Sequence, residues 1–287
     1  MKQFPSIPRA ANAPAGLFET GHLWLLEKVD GANVRFQLRQ SGGLRFGDRS
    51  HVYETPDAVP EPYQHAVRHI QLSLDRNALQ KAVDDVETIV FFGEAMHQHA
   101  IDYDWDRTPS FLGFDVWLAS EERFLQPDAV ERIFDRLGLR PVTVFERERN
   151  ARDFDPDSYT VPQSAWYDGP AEGIIIRNKR GQRAKLLHPD FREVDETVSV
   201  DGSAMTLAEK YATSRRFEKL TAKFEDRDRA VTFQTLYERV LEDIIREEHK
   251  QLYYGDRAVD MSEFRSEVAA RTRGFLDEYD RGDGGNR

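Results

Sequence analysis

Apolar residues in the first two thirds of the chain come in short runs bounded by glycine, proline and polar residues, a pattern of strands. The run Leu23-Trp24-Leu25-Leu26 leads into Glu27-Lys28-Val29-Asp30-Gly31, and an alternating run over 34–39 predicts a second strand. Ser41-Gly42-Gly43 is a hairpin turn into a third strand at 44–46. The opening therefore reads as a β-meander, with Arg45 and Arg49 close to Lys28 if the strands pair. Residues 88–92 and 111–117 read as buried strands that bring Glu94 and Asp115 up beside aromatic residues, and 141–145 reads as another strand. Two further apolar runs, 172–177 and 183–188, flank a turn at Gly181 and predict an antiparallel pair.

Helical spacing appears in two places within this region. Tyr63, Val67, Ile70 and Leu74 share one face of a covering helix within 60–86, and 127–137 starts on a proline and stops at Gly138. Beyond about residue 200 strand patterns cease, and 203–222, 229–251 and 261–279 carry helical spacing with many charges. The predicted organisation is an α+β domain of antiparallel sheets with flanking helices over 1–199, followed by a small all-helical domain over 200–287. Residues 1–21 read as a proline-rich irregular lead-in, and 282–287 as a disordered tail.

Composition narrows the chemistry. The 287 residues contain no cysteine, which removes disulfides, thiolate metal sites and cysteine nucleophiles, so a metal must be held by oxygen or imidazole. No apolar run approaches the roughly 18 residues of a membrane span, and the N-terminus has no secretion leader, so the expectation is a soluble, cytoplasmic protein with no membrane partner. A formal charge of −11 opposes general attraction to nucleic acid, so any such role needs a local basic groove.

A lysine before a glycine turn is by itself weak evidence for a reactive amine, but the ordered motifs downstream of it change its weight. Lys28-Val29-Asp30-Gly31 resembles the Lys-x-Asp-Gly signature of the covalent nucleotidyltransferases, the ATP-dependent RNA and DNA ligases and mRNA capping enzymes. Phe92-Gly93-Glu94, Phe114-Asp115, Glu172-Gly173-Ile174-Ile175-Ile176 and a lysine at Lys185 resemble the later motifs of that superfamily in the same order, over about 20–193. Within it the chain looks most like the RNA ligase 2 type. Asn33 after the lysine motif, the run Lys185-Leu186-Leu187-His188-Pro189-Asp190-Phe191-Arg192-Glu193 and the helical C-terminal region favour that type, where DNA ligases and capping enzymes carry an OB-fold.

The resemblance implies a nucleotidyltransferase (ATP-grasp-like) fold and ligation through a covalent lysyl-AMP, using ATP with Mg²⁺ or Mn²⁺. The substrate it implies is RNA with 3′-OH and 5′-phosphate ends, as in a nicked duplex. It makes Lys28 the nucleophile, Glu27 an acceptor near the adenine, Arg49 (preferred to Arg45) a phosphate ligand, and Glu94 the ribose ligand. Phe114 becomes the adenine stack, Glu172 the metal carboxylate and Lys185 the α-phosphate contact, with Asp30, Asn33 and Asp115 as further site residues. The second basic position of the last motif holds Leu187, and Arg183 is the candidate substitute. An attacking lysine must be neutral, so the expectation is that nearby cations and partial burial lower its pKa from about 10.4.

Rival readings are a DNA ligase or GTP-using capping-type enzyme, and a non-catalytic RNA-binding repair protein. The segment from Met96 to Asp104 contains His97-Gln98-His99 and reads as a substrate-facing loop rather than a zinc site. Arg215, Arg216, Lys219 and Lys223 form a basic stripe that suits either RNA phosphates or a solvated helix face.

Overall fold

The structure is a computed structural model that describes residues 1–191, 202–226, 228–254 and 259–283. The predicted boundary at 199/200, the residues Arg192 and Glu193, and the final stretch 284–287 lie outside the described residues. The chain divides into two compact units, Met1–Val194 and Asp195–Arg287.

Among its described residues the first unit holds ten strands in two antiparallel sheets. These are β1 (His22–Lys28), β2 (Ala32–Leu38), β3 (Leu44–Gly47), β4 (Val52–Tyr53), β5 (Ile89–Ala95), β6 (Phe111–Leu118), β7 (Arg123–Phe124), β8 (Val144–Asn150), β9 (Gly173–Asn178) and β10 (Arg183–Leu187). The first sheet has the order β10-β9-β1-β8, the second β4-β3-β2-β5-β6-β7. The hairpin over Gly42 joins β2 to β3 as predicted, with that glycine at φ +82°, and β9 pairs with β10 in the expected antiparallel sense.

One expectation fails in a way that matters for the site. β1 and β2 do not pair, because β1 lies between β8 and β9 while β2 lies between β3 and β5. Both strands are buried along most of their length, β1 with apolar residues on both faces and β2 with Val34, Phe36 and Leu38 on one face and Arg35 and Gln37 on the other, so each takes an interior place in its own sheet. The short link 29–31 therefore crosses from one sheet to the other, and Lys28 sits at the crossing.

The predicted helix over 60–86 is broken into α1 (Gln64–Ser73) and α2 (Arg76–Ala82). Leu74 is extended, and the Asp75 carboxylate accepts the Ala78 amide at 2.8 Å to cap the second segment. Val67, Ile70 and Leu74 nevertheless enter the core as their spacing predicts, against Phe36, Phe91 and Phe111 on the outer face of the second sheet. There they meet Val130 and Phe134 of α3 (Pro127–Arg136).

The second unit is helical: α4 (Ala204–Tyr211), α5 (Ser214–Glu225), α6 (Phe233–Glu247), α7 (His249–Tyr253) and α8 (Met261–Asp283). Two predicted helices are subdivided. Thr213 caps α5 by accepting the Arg216 amide, and α6 ends at Glu247 before α7 begins. Its core is Leu207, Phe217, Leu236, Val240, Ile244, Phe264 and their neighbours. The basic stripe is interrupted, since Arg216 pairs with Glu247 at 2.7 Å. Gly282 and Asp283, expected in the tail, belong to α8. No described helix is long and apolar enough to cross a membrane.

Candidate active site

A cleft with about 960 Å³ of open space lies in the first unit, walled by residues of both sheets. Lys28 closes β1 directly opposite Gly173, the first residue of β9, so the preceding Glu172 stands next to the lysine. Lys28 Nζ lies 2.5 Å from both carboxylate oxygens of Glu172. Lys185 is two positions from Leu187, which also faces Gly173, and it joins Lys28 from the neighbouring strand. From the other sheet Asn33 pairs opposite Glu94, which turns the acid toward the lysine. Gly31 makes this possible: a Cβ there would fall 2.4 Å from the Ala95 carbonyl and 3.0 Å from Glu94 Cγ.

Of the residues singled out in the sequence, Glu27, Asn33, Arg49, Glu94, Phe114, Asp115, Arg183 and Lys185 line the cleft with Lys28. Asp30 and Glu172 lie outside its wall and enter the site through Lys28. Arg45 is drawn to Glu54 at 3.0 Å on the sheet surface, while Arg49 acts on Glu94 and Lys185. The Glu27 carboxylate is buried and accepts from Ser164 Oγ at 2.6 Å and the Ala165 amide at 3.3 Å, so it anchors the 164–165 loop.

Arg183 does not reach toward Lys28. Its guanidinium meets Asp115 at 2.6 Å, Arg177 meets the same carboxylate at 3.3 Å, and all three are buried. This cluster ties β9 and β10 of one sheet to β6 of the other. Arg177 strengthens the tie by donating to the Leu125 carbonyl at 2.7 Å. The substitute basic contact expected of Arg183 is therefore committed to a structural ion pair.

Asp30 is held on all sides. Its Oδ2 accepts the amides of Ala100 (2.5 Å) and Ile101 (2.9 Å), its own amide donates to Tyr103 Oη at 2.7 Å, and His99 Nδ1 lies 3.4 Å from Oδ1. The expected substrate-facing loop thus folds back on Asp30, and the two histidines part, with His97 packed near His65 and Tyr63. Burial opposes ionisation of Asp30, but hydrogen bonds from His99 and the two amides outweigh it and hold its pKa below the usual value.

Electrostatics reverse one expectation. Burial works to neutralise Lys28, yet Glu172, Glu94 and Asp30 together hold its pKa above that of an ordinary lysine. The nearby cations act in the other direction on Lys185, whose pKa is lowered by burial and then by Lys28. Burial raises Glu172, with Asp30 adding to the shift and Lys28 opposing it. The protein alone therefore presents a protonated Lys28 amine beside three acidic side chains.

Burial, reinforced by Glu172 and Asp30, also lifts Glu94 from 4.5 to about 8 against the pull of Lys28 and Arg49. A raised carboxyl pKa stabilises the fold below its unfolded value, and that contribution is lost as the pH climbs through the folded value. Stability from this group consequently falls between pH 4.5 and about 8, and Glu94→Gln flattens the dependence of Tm on pH across that window. A variant that keeps the full wild-type slope would place the effect elsewhere.

The sequence reading missed the lead-in. Residues 4–7 line the cleft, and the Phe4 ring packs on Phe114, Phe92 and Phe124 at centroid distances of 4.9, 5.2 and 5.4 Å. No periodicity marks such a segment, because its partners are distant strands. Arg177 was also missed, although a signal existed: the Gly181 turn sets Arg177 opposite Arg183, and like charges paired across strands require a counter-ion.

Residues 21–188 match the RNA ligase family. The chain belongs to that family. The RNA ligase match runs from the start of β1 to the end of β10, taking in both sheets and every cleft residue named above except Phe4 and its neighbours. Comparison with curated proteins gives no match. Among solved structures, the RNA ligase of Naegleria gruberi with PPi is similar over 67% of this chain and 57% of its own, at 15% identity and a TM-score of 0.50. An archaeal ATP-dependent RNA ligase in form 2 is similar over 95% and 63%, at 17% identity and a TM-score of 0.47. Form 1 is similar over 100% and 67%, at 16% identity and a TM-score of 0.49. The chain thus spans less than two thirds of the Naegleria gruberi ligase and of the archaeal form 2 chain. At such identities the Naegleria gruberi likeness bears on the fold alone, a mixed α/β architecture with two antiparallel sheets.

Proposed function

We propose that this chain is an ATP-dependent RNA ligase that seals 3′-OH and 5′-phosphate ends, as at a nick in duplex RNA, through lysyl-AMP and RNA-adenylate intermediates. The observation that carries the reading is the meeting of Lys28 and Glu172 at 2.5 Å beside a cleft supplied with cations by Lys185 and Arg49. Family membership supports the RNA substrate, and structures of a Naegleria gruberi RNA ligase variant with ATP and Mn support the nucleotide and a divalent ion.

In the proposed first step Lys28 Nζ loses a proton, for which Glu172 is the adjacent acceptor, and attacks the α-phosphorus of ATP. A P–N bond forms, the bond to the β-phosphate oxygen breaks, and pyrophosphate leaves. Lys185 and Arg49 bind non-bridging oxygens and offset the charge that gathers on them. Phe114 stacks on the base and Glu94 binds the ribose. The 5′-phosphate of RNA then displaces the Lys28 amine, and the 3′-hydroxyl displaces AMP to close the phosphodiester.

Among the described residues, no three His, Asp or Glu side chains are grouped to hold a metal by themselves. The acids around Lys28 still suit an ion such as Mg²⁺ or Mn²⁺ that keeps most of its water and takes few carboxylates. Glu172 would hold it, and when bound it supplies positive charge against the phosphates and lowers the proton affinity of the lysine.

The test is covalent labelling with ATP carrying an α-phosphate label and Mn²⁺ or Mg²⁺, followed by sealing of nicked duplex RNA. The expected result is labelled protein and joined RNA. Absence of label overturns the reading, a stronger label from GTP points to a capping-type enzyme, and preferential sealing of nicked DNA points to a DNA ligase.

A further inference from the structure

Arg35 is 1% exposed and belongs to no part of the cleft wall, yet it is a charged residue in the middle of β2. Its Nε and Nη1 have no hydrogen-bond partner among the described residues, so the fold gains little from burying it. Arg35 stands opposite Gly47, and its side chain passes through the space that a larger residue there would fill. A Cβ on Gly47 would lie 2.8 Å from Arg35 Nε and 2.7 Å from the His51 carbonyl. Arg35 Nη2 donates to that carbonyl at 3.3 Å.

The turn closed in this way is the one that carries Arg49. Asp48 Oδ1 accepts the amides of Ser50 and His51, both at 2.7 Å, and Asp48 Oδ2 accepts Tyr53 Oη at 2.6 Å. Asp48 also supplies the charge that opposes the cost of burying Arg35. Arg49 itself is exposed and makes no hydrogen bond to any described residue, so its place at the cleft depends on the backbone of the turn together with the charges of Glu94 and Lys185.

We infer that Arg35, acting with Asp48 and Tyr53, is a positioning residue for Arg49: the buried brace holds the 47–51 turn so that Arg49 is presented to the phosphates of the nucleotide. This rests on the proposed lysyl-AMP chemistry for its catalytic consequence. A plain packing role predicts the opposite pattern, a lowered Tm with an unchanged labelling rate, whereas replacing a poorly satisfied buried charge by an apolar side chain of similar length commonly leaves stability unchanged or raises it.

The experiment compares wild type, Arg35→Met, Arg35→Lys, Arg49→Ala and the double variant Arg35→Met/Arg49→Ala. Each is read by Tm, by ATP binding without divalent ion, and by the rate of covalent labelling. The expected result is that Arg35→Met keeps its Tm but loses roughly 10- to 100-fold in labelling rate, the scale of a misplaced binding group. The double variant falls no further than Arg49→Ala, and Arg35→Lys, which keeps a charge and a donor, recovers part of the rate. Equal losses from Arg35→Met with and without Arg49 overturn the inference, as does an unchanged rate. If wild type binds ATP with the same non-additive pattern but takes no label, the brace stands and the ligase reading falls. Should Arg35→Met fail to fold, Tyr53→Phe weakens the same brace at Asp48 and carries the same comparison.

Discussion

Lys28→Ala is expected to abolish covalent labelling by ATP, with no residual rate above background in a gel assay. No other described lysine combines a place in the cleft with a carboxylate in contact: Lys185, the other cleft lysine, has no hydrogen bond from its side chain to any described residue. Sealing of RNA that already carries a 5′-adenylate should suffer less, because the attack of a 3′-hydroxyl on that adenylate does not use the amine as nucleophile. Label that survives the substitution would assign the adenylate to another residue and sink the mechanism. The electrostatics add a direction. Glu172, Glu94 and Asp30 hold the proton on Lys28, so the labelling rate of wild type should rise with pH through the neutral range as the amine is released. A rate that falls over that range would mean that deprotonation of Lys28 is not the controlling event.

Asp115→Ala is expected to give the largest loss of stability of any single change near the cleft. The carboxylate is 1% exposed and faces Arg177 and Arg183, which are 2% and 8% exposed. Removing it leaves two nearly buried like charges in the cleft wall without their counter-ion, and breaking such a buried pair costs about 3–5 kcal/mol. Urea unfolding should show that loss as a lower midpoint, with Asp115→Asn falling between the variant and wild type. A change within about 0.5 kcal/mol would mean that the two arginines find other partners when Asp115 is gone.

The two predictions differ in how far the sequence announces them. Lys28 was legible because its signature is local: four consecutive residues, a preceding apolar strand and a glycine turn. The later motifs were legible for the same reason, each being a short run at a strand end. The hairpins over Gly42 and Gly181 and the apolar face of α1 followed from turn chemistry and period. The helix over 60–86 was only partly legible, because its spacing continues across Leu74 while the Asp75 cap restarts the backbone. The role of Asp115 was not legible at all as a stabilising group, since its partners lie 62 and 68 positions away on two other strands.

By itself the sequence determined the order of the elements, the shift from strands to helices near residue 200, and the set of side chains available for chemistry. Those properties depend on neighbours within a turn or a strand, where steric and hydrophobic periodicity act directly. Only the tertiary structure decided that β1 and β2 part into different sheets, that Arg183 serves Asp115, and that Lys28 is held protonated. Each of these depends on which distant groups share a buried space. Glu172 reaches Lys28 across 144 positions of chain, and the proton on that lysine is set by the sum of such charges at low solvent exposure.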